Sequence, residues 1–254
     1  MGIRRGEITT NIIRNGLVFN IDAANRASYI PNATTSFNTI DLSTSGSLIN
    51  DTGFVGLPTS SFTFDGTDDY IDCGNNSSTN IAASNLTISF WIKSASNSQT
   101  DYTGLISKAP NTAAIVSAGQ YEIEISTSQN TRYIVTGVDL KAGAETTGTV
   151  PTLTLNTWEN IAMTWDGDTI RAYKNATETA TKTSPSATAP TSITEPLRIG
   201  KRENYGAFNG NIGPVHIYNR ALSAEEVLHN YNGLKGRFGL WEWVLSLRIL
   251  LRMG

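Results

Sequence analysis

The sequence predicts an all-β sandwich with one short helix near the C-terminal end of the 254 residues. Apolar and polar residues alternate in short runs along most of the chain, which is the pattern of half-buried strands. Thr, Ser and Asn together account for about 79 residues, and they favour strands and turns. The 22 aromatic residues and a charged fraction of only 16% indicate a folded chain rather than a disordered one.

The first half of the chain contains four clear strand patterns. Residues 17–22 alternate and predict the first strand, and a polar stretch in which no strand is predicted then runs to about Ser61. Residues 61–65 and 69–73 predict two strands on either side of a short turn. The strongest apolar run is 86–93. Weaker alternation predicts further strands near 103–108, 113–117, 120–127 and 130–138.

A hairpin is the clearest local prediction in the second half. Residues 160–165 and 168–174 alternate on either side of Asp166-Gly167. The Asp-Gly dipeptide tolerates the positive φ angles of a type I′ turn, which joins adjacent strands. A second turn at Asn175-Ala176 leads into a third strand. The remaining predictions are a surface loop over 181–194 and strands over 196–200 and 211–218.

The one predicted helix begins at Ser223. This residue can cap the helix, and Glu226 stands at the reciprocal position of a capping box. Gly233 suits the C-terminal end of the helix. Its predicted apolar face consists of Val227, Leu228 and Tyr231.

Charge and cysteine content exclude several classes of function. The net charge is −3 with no long run of one sign, so a nucleic-acid partner is not expected. The lone Cys73 excludes an internal disulfide and a multi-cysteine metal site, and we expect a buried, unreactive thiol. Residues 1–6 carry two arginines but are followed by no apolar stretch of secretory length.

The C-terminal segment 241–253 has an apolar residue at every odd position. Period two indicates a strand with one apolar face, although its Leu and Arg residues leave a helix open. Thirteen residues are too few to span a bilayer as a helix, so no membrane partner is expected. An exposed segment of this kind would aggregate, so we expect it to dock either on its own domain or on another protein. The odd positions are Trp241, Trp243, Leu245, Leu247, Ile249, Leu251 and Met253.

Several sequence motifs together resemble the concanavalin A-like, laminin-G-type jelly rolls. They are FTFDGTDDYID at 62–72, LTISFW at 86–91, WENIAMTWDG at 158–167 with YKN at 173–175, LRIG at 197–200, FNG at 208–210 and HIYNRALSAEE at 216–226. This resemblance implies a two-sheet antiparallel jelly roll, expected over 15–237. Such a fold carries lectins, glycosidases and structural modules, so it does not by itself give a function.

The two ends resemble virion-associated structural proteins of tailed phages, marine ones especially. The matching stretches are MGIRRG at 1–6, NGLVFNIDAAN at 15–25, YN at 231–232 and KGRFG at 235–239. The resemblance implies a virion-surface location, a capsid or tail protein as partner, and a homo-oligomer. Residues 1–14, including Arg4 and Arg5, are expected to be a docking arm. The extension 238–254, with the apolar residues from Trp241 to Leu251, is expected to be an assembly or self-docking element.

Glycoside hydrolysis is one function of this fold, and it needs two carboxylates flanking the scissile bond. Glu122 and Glu124 share one face of a predicted strand, with Cα atoms about 7 Å apart. They are similar to the acidic strand of the family's glucanases, but Ser126 stands where a third carboxylate is expected. We expect a solvent-facing pair without a catalytic role, and therefore no enzyme activity.

Lectin activity is the other known function, often with calcium near a sheet edge. The resemblance implies oxygen ligands for calcium from Asp22, Asp41, Asp65 and Asp68, next to Asp69. Against this site, the family's acidic residue before the last strand is replaced by Gly213-Pro214. The residues expected to bind glycan are Asn204, Tyr205, Phe208 and Asn209, whereas Trp158 is assigned to the core. The sequence thus predicts a non-enzymatic virion-surface protein with glycan binding, and the alternative is a calcium-dependent lectin for host polysaccharide.

Overall fold

The structure is a computed structural model that describes residues 12–81, 85–97, 99–100, 102–110, 120–135, 137–143, 146–185 and 193–240. Within these residues the chain forms two antiparallel sheets and one α-helix, which confirms the predicted fold class. In chain order the strands are β1 (Leu17–Ile21), β2 (Thr35–Phe37), β3 (Ser45–Ile49), β4 (Gly53–Val55), β5 (Ser61–Asp65), β6 (Tyr70–Asp72), β7 (Leu86–Ser94), β8 (Thr103–Lys108), β9 (Tyr121–Ile125), β10 (Thr131–Val135), β11 (Val138–Leu140), β12 (Thr147–Gly148), β13 (Glu159–Trp165), β14 (Thr169–Lys174), β15 (Thr177–Thr183), β16 (Arg198–Ile199) and β17 (Asn209–Tyr218).

The two sheets are stacked with matching edges. Sheet A has the order β12-β15-β14-β13-β7-β17-β5-β4, and β1 also pairs with β17. Sheet B has the order β11-β10-β9-β8-β16-β6-β3-β2. At one edge β11 lies against β15, and at the other Tyr29, which is bridged to Ser36 of β2, contacts Phe54 of β4 at 5.2 Å between ring centroids. The edge strands β2 and β4 therefore lie on the same side of the sandwich.

The main core lies between the sheets and is formed by the inward-facing residues of both. Large apolar side chains alternate along the central strands, as the pleat of a strand requires. Cys73 is buried in this core, as expected, and its burial raises the pKa of the thiol. Fully buried core residues include Phe19, Phe62, Ile88, Phe90, Ile123, Met163, Trp165 and Ile217.

A second apolar cluster lies on the outer face of sheet A, where the helix α1 (Ala224–Leu234) packs. A 3-10 helix, Lys235–Phe238, continues directly from α1. The ring of Trp91 on β7 is stacked between Tyr231 and Phe238, with centroid distances of 5.6 and 4.2 Å. These two short helices therefore cover one face of the sandwich.

The helix begins as predicted and ends later. Ser223 accepts a hydrogen bond from the backbone of Glu226, and the reciprocal bond of the capping box is also present. Leu228, predicted on the apolar face, is 47% exposed, while Asn230 and Leu234 are buried instead. The predicted end at Gly233 is wrong. The left-handed residue that ends this region is Gly239, after the 3-10 helix.

Strands β2, β3 and β4 occupy a polar stretch in which no strand was expected. They are three to five residues long and lie at or next to the sheet edges, so only part of each strand is buried. A short edge strand needs little apolar alternation, because water covers much of its surface. The alternation pattern therefore missed them.

The predicted hairpin is present as β13 and β14, but the turn type was wrong. Of loop residues 166–168, only Gly167 has a positive φ, at 99°, and Asp166 closes the loop by accepting the backbone N–H of Asp168 and Thr169. The two successive positive φ angles of a type I′ turn occur instead at Asn175 and Ala176, between β14 and β15.

Several predictions fall outside the described residues. These are the strand near 113–117, half of the 181–194 loop, Arg4 and Arg5, and the whole 241–253 segment. The predicted start of that loop is wrong, because β15 continues to Thr183. Two described residues of the expected N-terminal arm lie against the domain. Ile12 belongs to the cluster on the outer face of sheet A, and the backbone N–H of Ile13 donates to Asn230 Oδ1 at 2.8 Å.

Candidate functional site

Two glutamates of β9 lie on the outer face of sheet B, turned away from the core. Ile123 and Ile125 of the same strand enter the core, so the alternation turns Glu122 and Glu124 to the opposite face. Both glutamates are nevertheless buried, with exposures of 0% and 1%. The expectation of a solvent-facing pair is therefore wrong, because other parts of the chain cover this face.

The loop of residues 200–206, which follows β16, forms part of the cover. Gly104 on β8 is paired with Glu124, and a Cβ at this glycine would lie 2.7 Å from the backbone nitrogen of Arg202. Arg202 itself is 2% exposed, and its guanidinium carbon lies 3.9 Å from the centroid of the Tyr205 ring. The missing side chain at Gly104 thus lets the loop place an arginine directly over the glutamates.

Two arginines hold the three carboxylates of this face. The Arg132 guanidinium lies between Glu124, 2.7 Å from Oε1, and Asp139, to which it donates two hydrogen bonds of 2.7 and 2.8 Å. Arg202 Nη1 lies 3.4 Å from Glu124 Oε2, and its Nε lies 3.8 Å from Glu122 Oε2. The arrangement joins five charged side chains in a largely desolvated cluster.

Burial dominates the electrostatics of the two glutamates. It raises the pKa of Glu122 well above the usual range, and the charge of Glu124 adds to this increase while Arg202 opposes it. Burial also raises the pKa of Glu124, against the effects of Arg132 and Arg202. The pair therefore holds protons to a higher pH than exposed glutamates, because water is not available to solvate two adjacent negative charges.

A pocket of about 230 Å³ opens beside Glu124 on this face. It is smaller than the ~300–1,000 Å³ typical of sites for drug-sized ligands, so it suits one small unit of a larger molecule. Tyr102 at its rim is 47% exposed, and its ring meets that of Tyr205 edge to face with centroids 6.1 Å apart. The pocket is lined by Tyr102, Glu124, Ile125, Ser126, Asn130, Thr131, Arg132, Lys141 and Ala142.

The four residues predicted to bind glycan lie in different environments. Asn204 is exposed and Tyr205 is half-buried, and both lie in the loop that covers Glu122 and Glu124. Phe208 is fully buried in the core, so its ring cannot stack on a ligand at the surface. Asn209 donates a hydrogen bond of 2.7 Å to the carbonyl of Asp65 in the neighbouring strand. Only Tyr205, through its contact with Tyr102, lies next to the pocket. Trp158 is only partly buried and packs against the outer cluster of sheet A.

Sequence reasoning missed Tyr102, Arg132 and Arg202. A signal existed for Arg132, because it interrupts the apolar run of β10 at a position that faces the acidic side of β9. Nothing local indicated Arg202, which is 78 residues from Glu124 in the chain. Tyr102 has a left-handed backbone with φ of 63°, a conformation that its residue type does not predict.

The calcium ligands predicted from sequence are only partly brought together. Asp65 and Asp68 lie with Asp69 in the turn that joins the two sheets, and one carboxylate oxygen of each falls within 4.8 Å of the others. Asp69 is 2% exposed, its Oδ2 accepts the backbone N–H of Asp65, and its Oδ1 has no hydrogen-bond partner among the described residues. Three carboxylates with one buried oxygen left over fit a hard cation such as calcium.

Asp22 and Asp41 do not join this cluster. Asp22 is buried and forms an ion pair of 2.8 Å with Arg237, and Asp41 is half-buried and accepts hydrogen bonds from Ser43. Gly213-Pro214 lies inside β17 at an irregular register, not before the strand. A Cβ at Gly213 would lie 3.0 Å from Phe238, so this glycine makes room for the 3-10 helix.

In the part of the chain that the structure describes, none of the helices has the length and apolar character that crossing a membrane requires.

Comparison with known proteins gives a family match and a set of similar folds. A family model described as the concanavalin A-like lectin/glucanases superfamily matches residues 65–228. No curated protein matches the chain.

Three solved structures illustrate the fold similarity. The binding domain of Paraclostridial Mosquitocidal Protein 1 is 18% identical with a TM-score of 0.62, and the match covers 85% of this chain and 52% of that one. The botulinum neurotoxin serotype D binding domain is 14% identical with a TM-score of 0.64, and the match covers 86% of this chain and 52% of that one. The Trypanosoma rangeli sialidase in complex with the inhibitor DANA is 11% identical with a TM-score of 0.63, and the match covers 87% of this chain and 33% of the sialidase chain. The chain thus spans about half or less of these proteins, and at such identities the likeness shows the fold alone.

Proposed function

The chain belongs to the concanavalin A-like lectin/glucanase superfamily, and on this premise we propose that it is a non-enzymatic carbohydrate-binding protein. The observation that carries the proposal is the pocket on the outer face of sheet B. An exposed ring, that of Tyr102, stands at its rim beside the amide of Asn130 and the guanidinium of Arg132. An aromatic ring can stack on the apolar face of a sugar, while amide and guanidinium groups bind its hydroxyls.

Burial of the two glutamates supports a binding role over a catalytic one. A glycosidase needs both carboxylates beside the scissile bond, one of them free to give or take a proton. Glu122 is completely buried, and Glu124 is held by Arg132 and Arg202. Ser126, not a third acid, follows on the strand.

Replacing Tyr102 with alanine is expected to weaken glycan binding about fivefold or more, because about 1 kcal/mol or more of ring contact is lost. A glycan microarray would first identify the ligand, and calorimetry would then compare Tyr102→Ala with the wild type. Phe37→Ala is the matched control, since Phe37 is a similarly exposed ring, 43% against 47%, that lies on the edge strand β2. Unchanged affinity in Tyr102→Ala would contradict the assignment of the pocket.

The same glycans test the absence of catalysis. No reducing ends should be released when the protein is incubated with the bound glycan or with β-glucans. Release that disappears in Glu122→Gln would instead establish a glycosidase.

We further propose that Asp65, Asp68 and Asp69 hold a calcium ion, which would make the protein a calcium-dependent lectin if glycan binding requires the ion. The leftover buried oxygen of Asp69 is the observation that favours this site. Burial, together with the charges of Asp65 and Asp68, raises the pKa of Asp69, and a bound cation would relieve that repulsion.

Calcium is expected to raise the melting temperature relative to excess chelator. At 100 times the dissociation constant the ion would stabilise the fold by about 2.7 kcal/mol, a shift of several degrees. Asp68→Asn should lose most of the shift, whereas Asp41→Asn, at an exposed turn outside the cluster, should keep it. A wild-type protein that melts identically with calcium and with chelator would refute the site.

The sequence resemblance of both ends to tailed-phage virion proteins supports one further proposal, that the domain is displayed on a virion surface and attached to a capsid or tail protein. Mass spectrometry and antibody labelling of purified particles would test it. The chain should copurify with intact particles and be labelled on their exterior. Its absence from them would refute the location without affecting the glycan-binding proposal.

A further inference from the structure

Exposed apolar side chains are concentrated in a short part of the chain. Nine large hydrophobic residues are exposed among those that the structure describes, and six of them fall between residues 30 and 57. Isolated exposed apolar residues are ordinary, but a group of this kind indicates a surface that something covers. We call this group the edge patch. It consists of Ile30, Phe37, Ile40, Leu42, Val55 and Leu57, with exposures from 43% to 78%.

The edge patch lies on the side of the sandwich where both sheets end. Phe37 is on β2, the edge strand of sheet B, and Val55 is on β4, the edge strand of sheet A. Loop 38–44 is tied to the same side, because the backbone N–H of Thr39 donates to the carbonyl of Asn20 on β1. An edge strand also presents backbone N–H and C=O groups that can pair with a further strand.

The C-terminal part of the chain reaches this same edge. Arg237, in the 3-10 helix, donates a hydrogen bond of 3.0 Å to the carbonyl of Thr59 and another to that of Ser60. These carbonyls follow Leu57, which at 78% is the most exposed residue of the edge patch. The described chain ends only three residues later, at Leu240. The segment 241–253 therefore starts close to the patch.

We propose that residues 241–253 dock on the edge patch of their own chain and extend sheet A beyond β4. The alternating pattern of the segment supplies one apolar face for the exposed side chains, and its backbone supplies partners for the open edge of β4. In an extended conformation thirteen residues reach about 43 Å, which is long enough for the segment to run along β4 from its start near Thr59 and Ser60.

The segment of the same chain is a better occupant than that of a second copy. A tethered segment that begins beside its acceptor has an effective concentration in the millimolar range, far above the concentration of free copies in a dilute solution. The docked segment would cover the unpaired edge and remove a surface that favours edge-to-edge aggregation. This inference is independent of glycan binding, whose pocket lies at the far edge of sheet B beside β9 and β10.

Hydrogen exchange on the full-length protein, with its mass measured by light scattering, tests the proposal. We expect a monomer in which the amides of 53–57 and 241–253 exchange slowly. Leu247→Asp, at an odd position of the segment, and Leu57→Asp, on the patch, should each speed the exchange of both regions at least tenfold. Ser246→Asp, at the next even position, is the matched control and should leave the exchange unchanged.

Two results would overturn the proposal. One is fast exchange of 241–253 in the wild-type monomer. The other is slow exchange that appears only in a dimer, which would make a second copy the occupant. Exchange within β13, far from the edge patch, reports whether each variant is folded.

Discussion

Replacing Arg202 with methionine is expected to lower the free energy of unfolding by about 3–5 kcal/mol at neutral pH. Arg202 is 2% exposed and lies within 3.8 Å of both Glu122 and Glu124, so its removal leaves buried carboxylates without one of their two cations. Methionine keeps the bulk of the side chain. The loss therefore reports the missing charge rather than a cavity.

The destabilisation should depend on pH in a definite direction. The pKa of Glu122 and that of Glu124 are raised in the folded protein. Each group therefore contributes stability below its pKa in the unfolded chain, about 4.3. That contribution is lost as the pH rises through the pKa of the folded protein. Removing Arg202 raises both folded values further, because a cation that opposed the increase is gone. Arg202→Met should accordingly cost more stability at pH 8 than at pH 5.

Urea unfolding of wild type and variant at the two pH values measures this difference, and other titrating groups largely cancel in the comparison. The matched control is Arg171→Met, which removes a guanidinium that is one-third exposed and paired with Asp166. It should cost about 1 kcal/mol or less at either pH. An equal loss at pH 5 and pH 8 in Arg202→Met would show that the cluster does not carry the charge that we assign to it.

The cluster of Glu122, Glu124 and Arg202 was only partly predictable from the sequence. The alternation of β9 correctly placed Glu122 and Glu124 on one face, because side-chain direction in a strand is a local property. Their burial depends on Arg202 and on the space at Gly104, which come from distant parts of the chain. The sequence pattern of one strand does not show which distant loop covers its outer face in the folded protein.

In the rest of the fold too, features set by adjacent residues were predicted and features set by tertiary contacts were missed. The β13–β14 hairpin and the capping box at Ser223 were predicted because each depends on a few adjacent residues. The short edge strands β2 to β4 were missed, since their pairing is set by neighbours in the sheet rather than by their own apolar content. Phe208 was assigned to a surface site because its burial, like that of the glutamates, is decided by tertiary packing.

Replacing Trp91 with alanine is expected to cost about 3–5 kcal/mol, the range for truncating a buried aromatic side chain. The indole is completely buried between Tyr231 of α1 and Phe238 of the 3-10 helix, and Phe238 also contacts Trp158 at 4.6 Å. Each stacked pair adds about 0.5–1.5 kcal/mol beyond the area it buries. Trp91 thus supplies two stacked ring contacts through which sheet A holds the two helices.

The effect of Trp91→Ala should be largest in the region of the two helices. Amides of 224–238 should exchange faster relative to those of β13 than in the wild type, whereas Trp91→Phe, which keeps a stacked ring, should retain most of the protection. Because Arg237 in this region donates hydrogen bonds to the carbonyls of Thr59 and Ser60, loosening of the 3-10 helix should also weaken these two contacts. A uniform loss of protection across both sheets would mean that the helices are not a separately held unit. In that case the C-terminal part of the chain would be anchored by contacts other than those of Trp91.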